Sequence, residues 1–131
     1  MGARSFVCLT NIPTPYRIFQ FRLMYQELAA REWDFEVLFM ARWERGRNWS
    51  FEESEFTFPH RFLRGIHINN AGGCAWHLNV GILSTLRQIR PEILLVGGSW
   101  TTPTVWIAGI ARTAHRKIFW SESHLDSIRR R

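Results

Sequence analysis

Four short apolar runs punctuate the chain: Phe6-Val7-Cys8-Leu9, Phe35-Glu36-Val37-Leu38-Phe39-Met40, Ile93-Leu94-Leu95-Val96 and Lys117-Ile118-Phe119-Trp120. Each is too short for a helix and rich in strand formers; the first reads as buried, the second as covered on both faces and the third as a central parallel strand, while the fourth reads as a last strand. A fifth stretch, residues 56–63, alternates instead, with Phe56, Phe58, His60 and Phe62 on one side. That period of two predicts a strand with one covered face.

Between these runs the period becomes helical. In 16–31, Ile18, Phe21, Tyr25, Leu28 and Ala29 recur at helical spacing, with Arg17, Gln20, Gln26, Glu27 and Arg31 between them. In 80–90, Ile82, Leu83, Leu86 and Ile89 make a buried face; Asn79 is placed to cap the start and Pro91 to stop the end. A third helix starts with Thr102 as cap and Pro103 in the first turn, where a missing N–H costs nothing. Its inner stripe is predicted to be Trp106, Ile107, Ile110, Ala111 and Ala114. The order βαβ, an aromatic strand, then αβαβ predicts one α/β domain over residues 1–131, with a doubly wound, mostly parallel sheet of about five strands. A further helix is expected to begin after Glu122, so the domain reads as incomplete at its carboxyl end.

Size and composition agree with a packed domain. The 131 residues are 46% hydrophobic and 21% charged, ordinary globular values. Residues 93–111 carry no charge, the length of a membrane span. Gly97-Gly98-Ser99 and Thr101-Thr102-Pro103-Thr104 break that segment and favour strand, turn and helix. With two cysteines, no CxxC and no secretory signal, the setting reads as reducing and cytoplasmic. Cys8 reads as a small core hydrophobe.

The net charge is +6, and 16 of the 17 basic residues are arginine. Three close the chain, and Arg42, Arg45 and Arg47 form a local concentration. Arginine in that density suits phosphate groups or anionic lipid headgroups, and so a peripheral contact with the inner face of a membrane. Nucleic acid is not expected as a partner, because no helix-turn-helix, zinc-finger or RNA-recognition pattern is present.

In a doubly wound sheet the ligand crevice lies outside the carboxyl ends of the strands. Three loops should meet there, at residues 11–17, 97–102 and 121–124. Pro13 and Pro15 stiffen the first and disfavour helical geometry at Ile12 and Thr14. Gly97-Gly98 allows close approach of a ligand to the backbone. Residues 41–53 hold three arginines with Trp43 and Trp49, and two readings of them stand open: a solvated connection, or an arm that grips an anion and a ring. Glu122 and His124 read as a base or a hydroxyl ligand, or equally as a capping group at a helix start. His60 and His67 are not spaced as metal ligands, and no metal site is expected. Neither GxGxxG, GxxxxGK[ST] nor GxSxG occurs, so dinucleotide, P-loop and nucleophile-elbow chemistry have no support.

Asn11-Ile12-Pro13-Thr14-Pro15-Tyr16-Arg17, Leu38-Phe39-Met40-Ala41-Arg42, Glu44-Arg45-Gly46-Arg47-Asn48-Trp49, Gly97-Gly98 and Trp120-Ser121-Glu122-Ser123 follow in that order. Together they resemble the amino-terminal domain of family-4 glycosyltransferases of the GT-B fold, over nearly the whole chain. The resemblance implies one of two Rossmann-like halves of a retaining, nucleotide-sugar-dependent enzyme of polysaccharide biosynthesis. This half would hold a sugar or lipid-linked sugar acceptor. A carboxyl-terminal half with a glutamate-x7-glutamate motif would bind the nucleotide-sugar donor as co-substrate, with no further cofactor, and this half alone would be inactive. The glycine-rich loop that many relatives carry after the first strand is replaced by the Pro-x-Pro turn. The residues implied in substrate binding are Asn11, Tyr16, Arg17, Arg45, Arg47, Gly97, Gly98 and Glu122. The other reading is a stand-alone flavodoxin-like domain that binds a small anion or sugar without catalysis.

Overall fold

The computed structural model describes residues 4–44, 50–69, 75–98 and 102–120. In chain order the elements are β1 (Arg4–Thr10), α1 (Pro15–Ala30), β2 (Trp33–Phe39), a 3-10 turn (Glu53–Glu55), β3 (His60–Phe62), β4 (Ile66–Asn69), β5 (Ala75–Leu78), α2 (Ile82–Ile89), β6 (Ile93–Val96), α3 (Pro103–Ile110) and β7 (Arg116–Phe119). Five strands form one sheet in the order β3-β2-β1-β6-β7, and every pairing in it is parallel. Numbered within the sheet, that order is 3-2-1-4-5, the Rossmann-like arrangement. A flavodoxin-like sheet would run 2-1-3-4-5, so the topology corrects that part of the alternative reading.

Alternation along β1 divides the core. Val7 and Leu9, with Leu38, Met40, Leu94 and Val96, face Ile82 and Leu86 of α2 and Val105 and Ala108 of α3. Cys8, with Phe35, Val37 and Phe39, faces Ile18 and Phe21 of α1 on the opposite side. Phe21 is fully buried, its ring 6.4, 6.1 and 5.7 Å from those of Phe35, Phe39 and Phe58. Truncating such a ring to alanine costs about 3–5 kcal/mol. Cys8 is the core residue expected. Burial pushes its thiol far above the ordinary range, against the lowering pull of the Arg17 charge.

Four expectations need correction. Residues 56–63 do not form one strand. Pro59 has no N–H to give the ladder, although its carbonyl accepts from Val37 N at 3.0 Å, and pairing is confined to His60–Phe62 at the sheet edge. Asn79 does not cap α2. Gly81 holds that position, and Asn79 is fully buried with its side chain bound elsewhere.

Of the inner stripe expected for α3, Ile107 and Ala114 do pack against the core, but the rest of the face is rotated. Thr104, Val105 and Ala108 are buried, whereas Trp106 and Ile110 are 56% and 77% exposed. The Thr104 hydroxyl explains this: it lies 2.9 Å from the His77 carbonyl and 2.8 Å from the Asn79 N–H that it accepts. Those bonds hold position 104 inward and carry 105 and 108 with it. Arg17, expected on the polar face of α1, is only 8% exposed, and Ala29, expected on the buried face, is exposed.

Strands β4 and β5, in a stretch to which the sequence pattern assigns no strand, form an antiparallel hairpin. Among the described residues, no helix is long and apolar enough to cross a membrane.

Candidate functional site

The sheet order reverses between β1 and β6, and the crevice of a doubly wound sheet opens at that reversal. Asn11 follows β1 there and Gly97-Gly98 follow β6. The Gly97 N–H donates to the Leu9 carbonyl at 2.7 Å, and a Cβ at Gly97 would lie 3.3 Å from that oxygen. Gly98 has φ +92°, and a Cβ on it would sit 3.8 Å from Asn11 N and 3.7 Å from the Met40 methyl. The left-handed backbone selects glycine there, since the neighbouring atoms would stand at ordinary van der Waals distance from a Cβ. Asn11, Gly97 and Gly98 are thus brought together at the switch point.

Beside them α1 begins. Thr14 takes the extended conformation that a following proline demands, and its carbonyl accepts from Ile18 N at 2.9 Å. Its hydroxyl is buried without a hydrogen-bond partner among the described residues, which leaves a polar group unsatisfied by them next to the crevice. Tyr16 is half exposed. The Arg17 guanidinium lies 3.6 Å above the Trp120 ring, at the carboxyl end of β7, and 5.4 Å from the Tyr16 ring. These contacts join α1 to the far strand through cation–π attraction. Arg45, Arg47 and Glu122, with Trp49 and His124, lie outside the described residues.

A second feature adjoins Asn11. Its side-chain N–H donates to Glu44 Oε1 at 3.1 Å, and the same oxygen lies 2.7 Å from His77 Nε2. His77 Nδ1 in turn lies 2.8 Å from His67 Nδ1. His77 is fully buried and the Glu44 side chain nearly so. The hairpin register creates this chain of contacts, because His67 and His77 are direct cross-strand partners. A carboxylate oxygen that accepts from both Asn11 and His77 fixes the proton of His77 on Nε2. In the neutral pair His77 Nδ1 is then an acceptor, so His67 carries its proton on Nδ1 and keeps a bare lone pair on Nε2. Burial and the charge of His77 hold His67 below its ordinary pKa, with Glu44 opposing.

This relay lines a cavity of about 670 Å³ with Arg42, Trp43, Phe62 and Arg64. Arg42 stacks 4.3 Å over the Phe62 ring. A larger cavity, of about 860 Å³, lies at the opposite end of the strands near Arg4, Asp34 and His115. That end is the wrong one for the crevice of such a sheet, and its Arg61 is already paired with Glu36 at 2.8 Å. Among the described residues, no group of three or more His, Cys, Asp or Glu side chains is arranged to hold a metal ion.

The sequence reading missed His77 and the role of Glu44. A signal was present. Ile66-His67-Ile68 and Trp76-His77-Leu78 alternate with period two around a segment containing Gly72-Gly73, which is a hairpin pattern. Comparison with models of protein families, with curated proteins and with solved structures finds no match to this chain.

Proposed function

We propose that this chain is the acceptor-binding half of a retaining, nucleotide-sugar-dependent glycosyltransferase of the GT-B type. The observation that carries the proposal is the convergence of Asn11 and Gly98 at the β1/β6 switch point. These two residues belong to separate motifs of the family resemblance. In this reading the acceptor, a sugar or a lipid-linked sugar, lies along the carboxyl ends of β1 and β6. Asn11 and the glycine backbone offer hydrogen bonds there, and Tyr16 and Arg17 flank them from the start of α1. Arg17 and Arg47 contact an anionic part of the acceptor, Arg45 adds to its binding, and Glu122 accepts from a sugar hydroxyl. A second Rossmann-like domain supplies the donor and its paired glutamates. The basic surface suits work at the anionic inner face of a membrane.

The test is the reading frame beyond codon 131 and the activity of the whole product. A continuing frame with a second Rossmann pattern and a glutamate-x7-glutamate motif is expected, as is sugar transfer with retained anomeric configuration. Full transfer activity from the 131 residues alone would contradict the division of labour. The second reading, a stand-alone binding domain for a small anion or sugar, has the cavity with Arg42 and Arg64 in its favour. A stop codon directly after Arg131, with sugar binding but no transfer, would select it.

A further inference from the structure

We propose that the cavity between the hairpin and the segment after β2 binds an anionic sugar, with Arg42 and Arg64 on its negative group and His67 Nε2 on a hydroxyl. The inference names the class of acceptor and takes its biological meaning from the glycosyltransferase reading; the binding itself does not depend on that reading.

The charge of the cavity carries the first step. Its one acidic lining residue, Glu44, already accepts from Asn11 and His77. Among the described residues, Arg42 and Arg64 have no carboxylate partner; Arg42 rests on the Phe62 ring. Two guanidinium groups without counter-ions at one cavity are an attraction for phosphate or carboxylate, which arginine binds through paired hydrogen bonds.

His67 supplies the second step. Its Nδ1 is spent on His77, and its Nε2 has no partner among the described residues. With both imidazoles neutral, the relay from Glu44 through His77 keeps that nitrogen an acceptor, so it can take a hydrogen bond from a donor O–H. Inorganic phosphate at neutral pH offers only the O–H of its own anionic group, the group the arginines hold, whereas a sugar has several hydroxyls set apart from its charge. Trp43, 68% exposed at the rim, adds an aromatic face on which the apolar side of a pyranose can rest. A volume of about 670 Å³ admits such a ligand. Charge, hydroxyl acceptor and ring platform together favour an anionic sugar over either a neutral sugar or a simple anion.

The experiment is calorimetric titration of the 131-residue chain at pH 7.5 with glucose 6-phosphate, glucuronate, glucose and inorganic phosphate. Glucose 6-phosphate or glucuronate should bind at least about tenfold more tightly than glucose and than phosphate. The preferred one identifies the negative group as phosphate or carboxylate. Arg64→Ala, at an exposed side chain, should weaken that binding about tenfold and leave the circular dichroism spectrum unchanged. His67→Phe should reduce the sugar phosphate to the affinity of phosphate alone. Equal affinity for glucose and its anionic forms, equal affinity for phosphate and sugar phosphate, no binding of any probe, or indifference to Arg64→Ala would each overturn the proposal. Anionic-sugar binding by a protein that never transfers sugar would defeat the glycosyltransferase reading and leave this one standing. Transfer to neutral acceptors, untouched by Arg64→Ala, would do the reverse.

Discussion

His67 and His77 face each other across the β4–β5 ladder with their Nδ1 atoms 2.8 Å apart. Only one of those nitrogens can carry a proton in the neutral pair, and Glu44 decides which. The account predicts that His67 adopts the Nδ1–H tautomer, the less common one in water. Nitrogen-15 NMR of the imidazole rings should show it at neutral pH. Glu44→Gln should let His77 turn or switch tautomer and return His67 to the Nε2–H form. An Nε2–H tautomer of His67 in the unsubstituted protein would contradict the relay.

Burial and the His77 charge depress the His67 pKa below 6.5. The folded protein then binds fewer protons at this site than the unfolded chain. Stability from this source is complete above the unfolded value and is lost as pH falls through the folded one. The groups that set the balance are His77 and Glu44 from the relay, with Arg42 and Arg64 at the same cavity. Urea midpoints measured from pH 7.5 down to 5 should fall. The fall should be shallower in His67→Asn, whose amide can still donate to His77.

Asn79 ties three segments together. Its amide donates to the Met40 carbonyl at 2.9 Å and the Arg64 carbonyl at 3.1 Å, and its oxygen lies 2.9 Å from the Thr104 hydroxyl. Asn79→Ala strands these buried groups and should cost roughly 3 kcal/mol in denaturant unfolding. Gly65 belongs to the same device, since a Cβ there would lie 2.5 Å from the Asn79 amide nitrogen and from the Leu78 carbonyl. Gly65→Ala should also destabilise, with the hairpin amides exchanging first.

Gly98→Ala should lower stability by about 1–2 kcal/mol, the cost of a Cβ in left-handed backbone. Under the proposed function it should also weaken sugar binding more than stability alone accounts for. A fully stable variant would show that the turn relaxes.

Cys8 should resist alkylation by iodoacetamide in the folded protein at pH 8 and react freely in urea, because burial both shields the thiol and disfavours its thiolate.

The parallel sheet was legible because its strands are apolar runs set off by proline and glycine. Residues 93–96 emerge with the expected bounds, and Thr102-Pro103 begins α3 as its chemistry requires. The hairpin was not legible as amphipathic structure, since its pattern is inverted. Ile66, Ile68 and Trp76 are exposed while His77 is buried. An inward histidine is acceptable only because Glu44 and His67 satisfy both ring nitrogens, and those partners are remote in sequence. The same holds for α3. Its apolar residues offer several faces, and the choice falls to the Thr104 hydroxyl, whose partners Asn79 and His77 lie in another segment. At the site, Asn11 and Gly98 were readable from the rule that strand ends meet at the switch point, whereas the relay depended on cross-strand register.

The most direct test of the proposed function is an amide NMR titration of the isotope-labelled chain with sugar acceptors. The account predicts shifts at the backbone amides of Asn11, Gly97 and Gly98, spreading to Tyr16 and Arg17 at the start of α1. Shifts confined to Arg4, Asp34 and His115 at the opposite end of the sheet, or none at all, would contradict it.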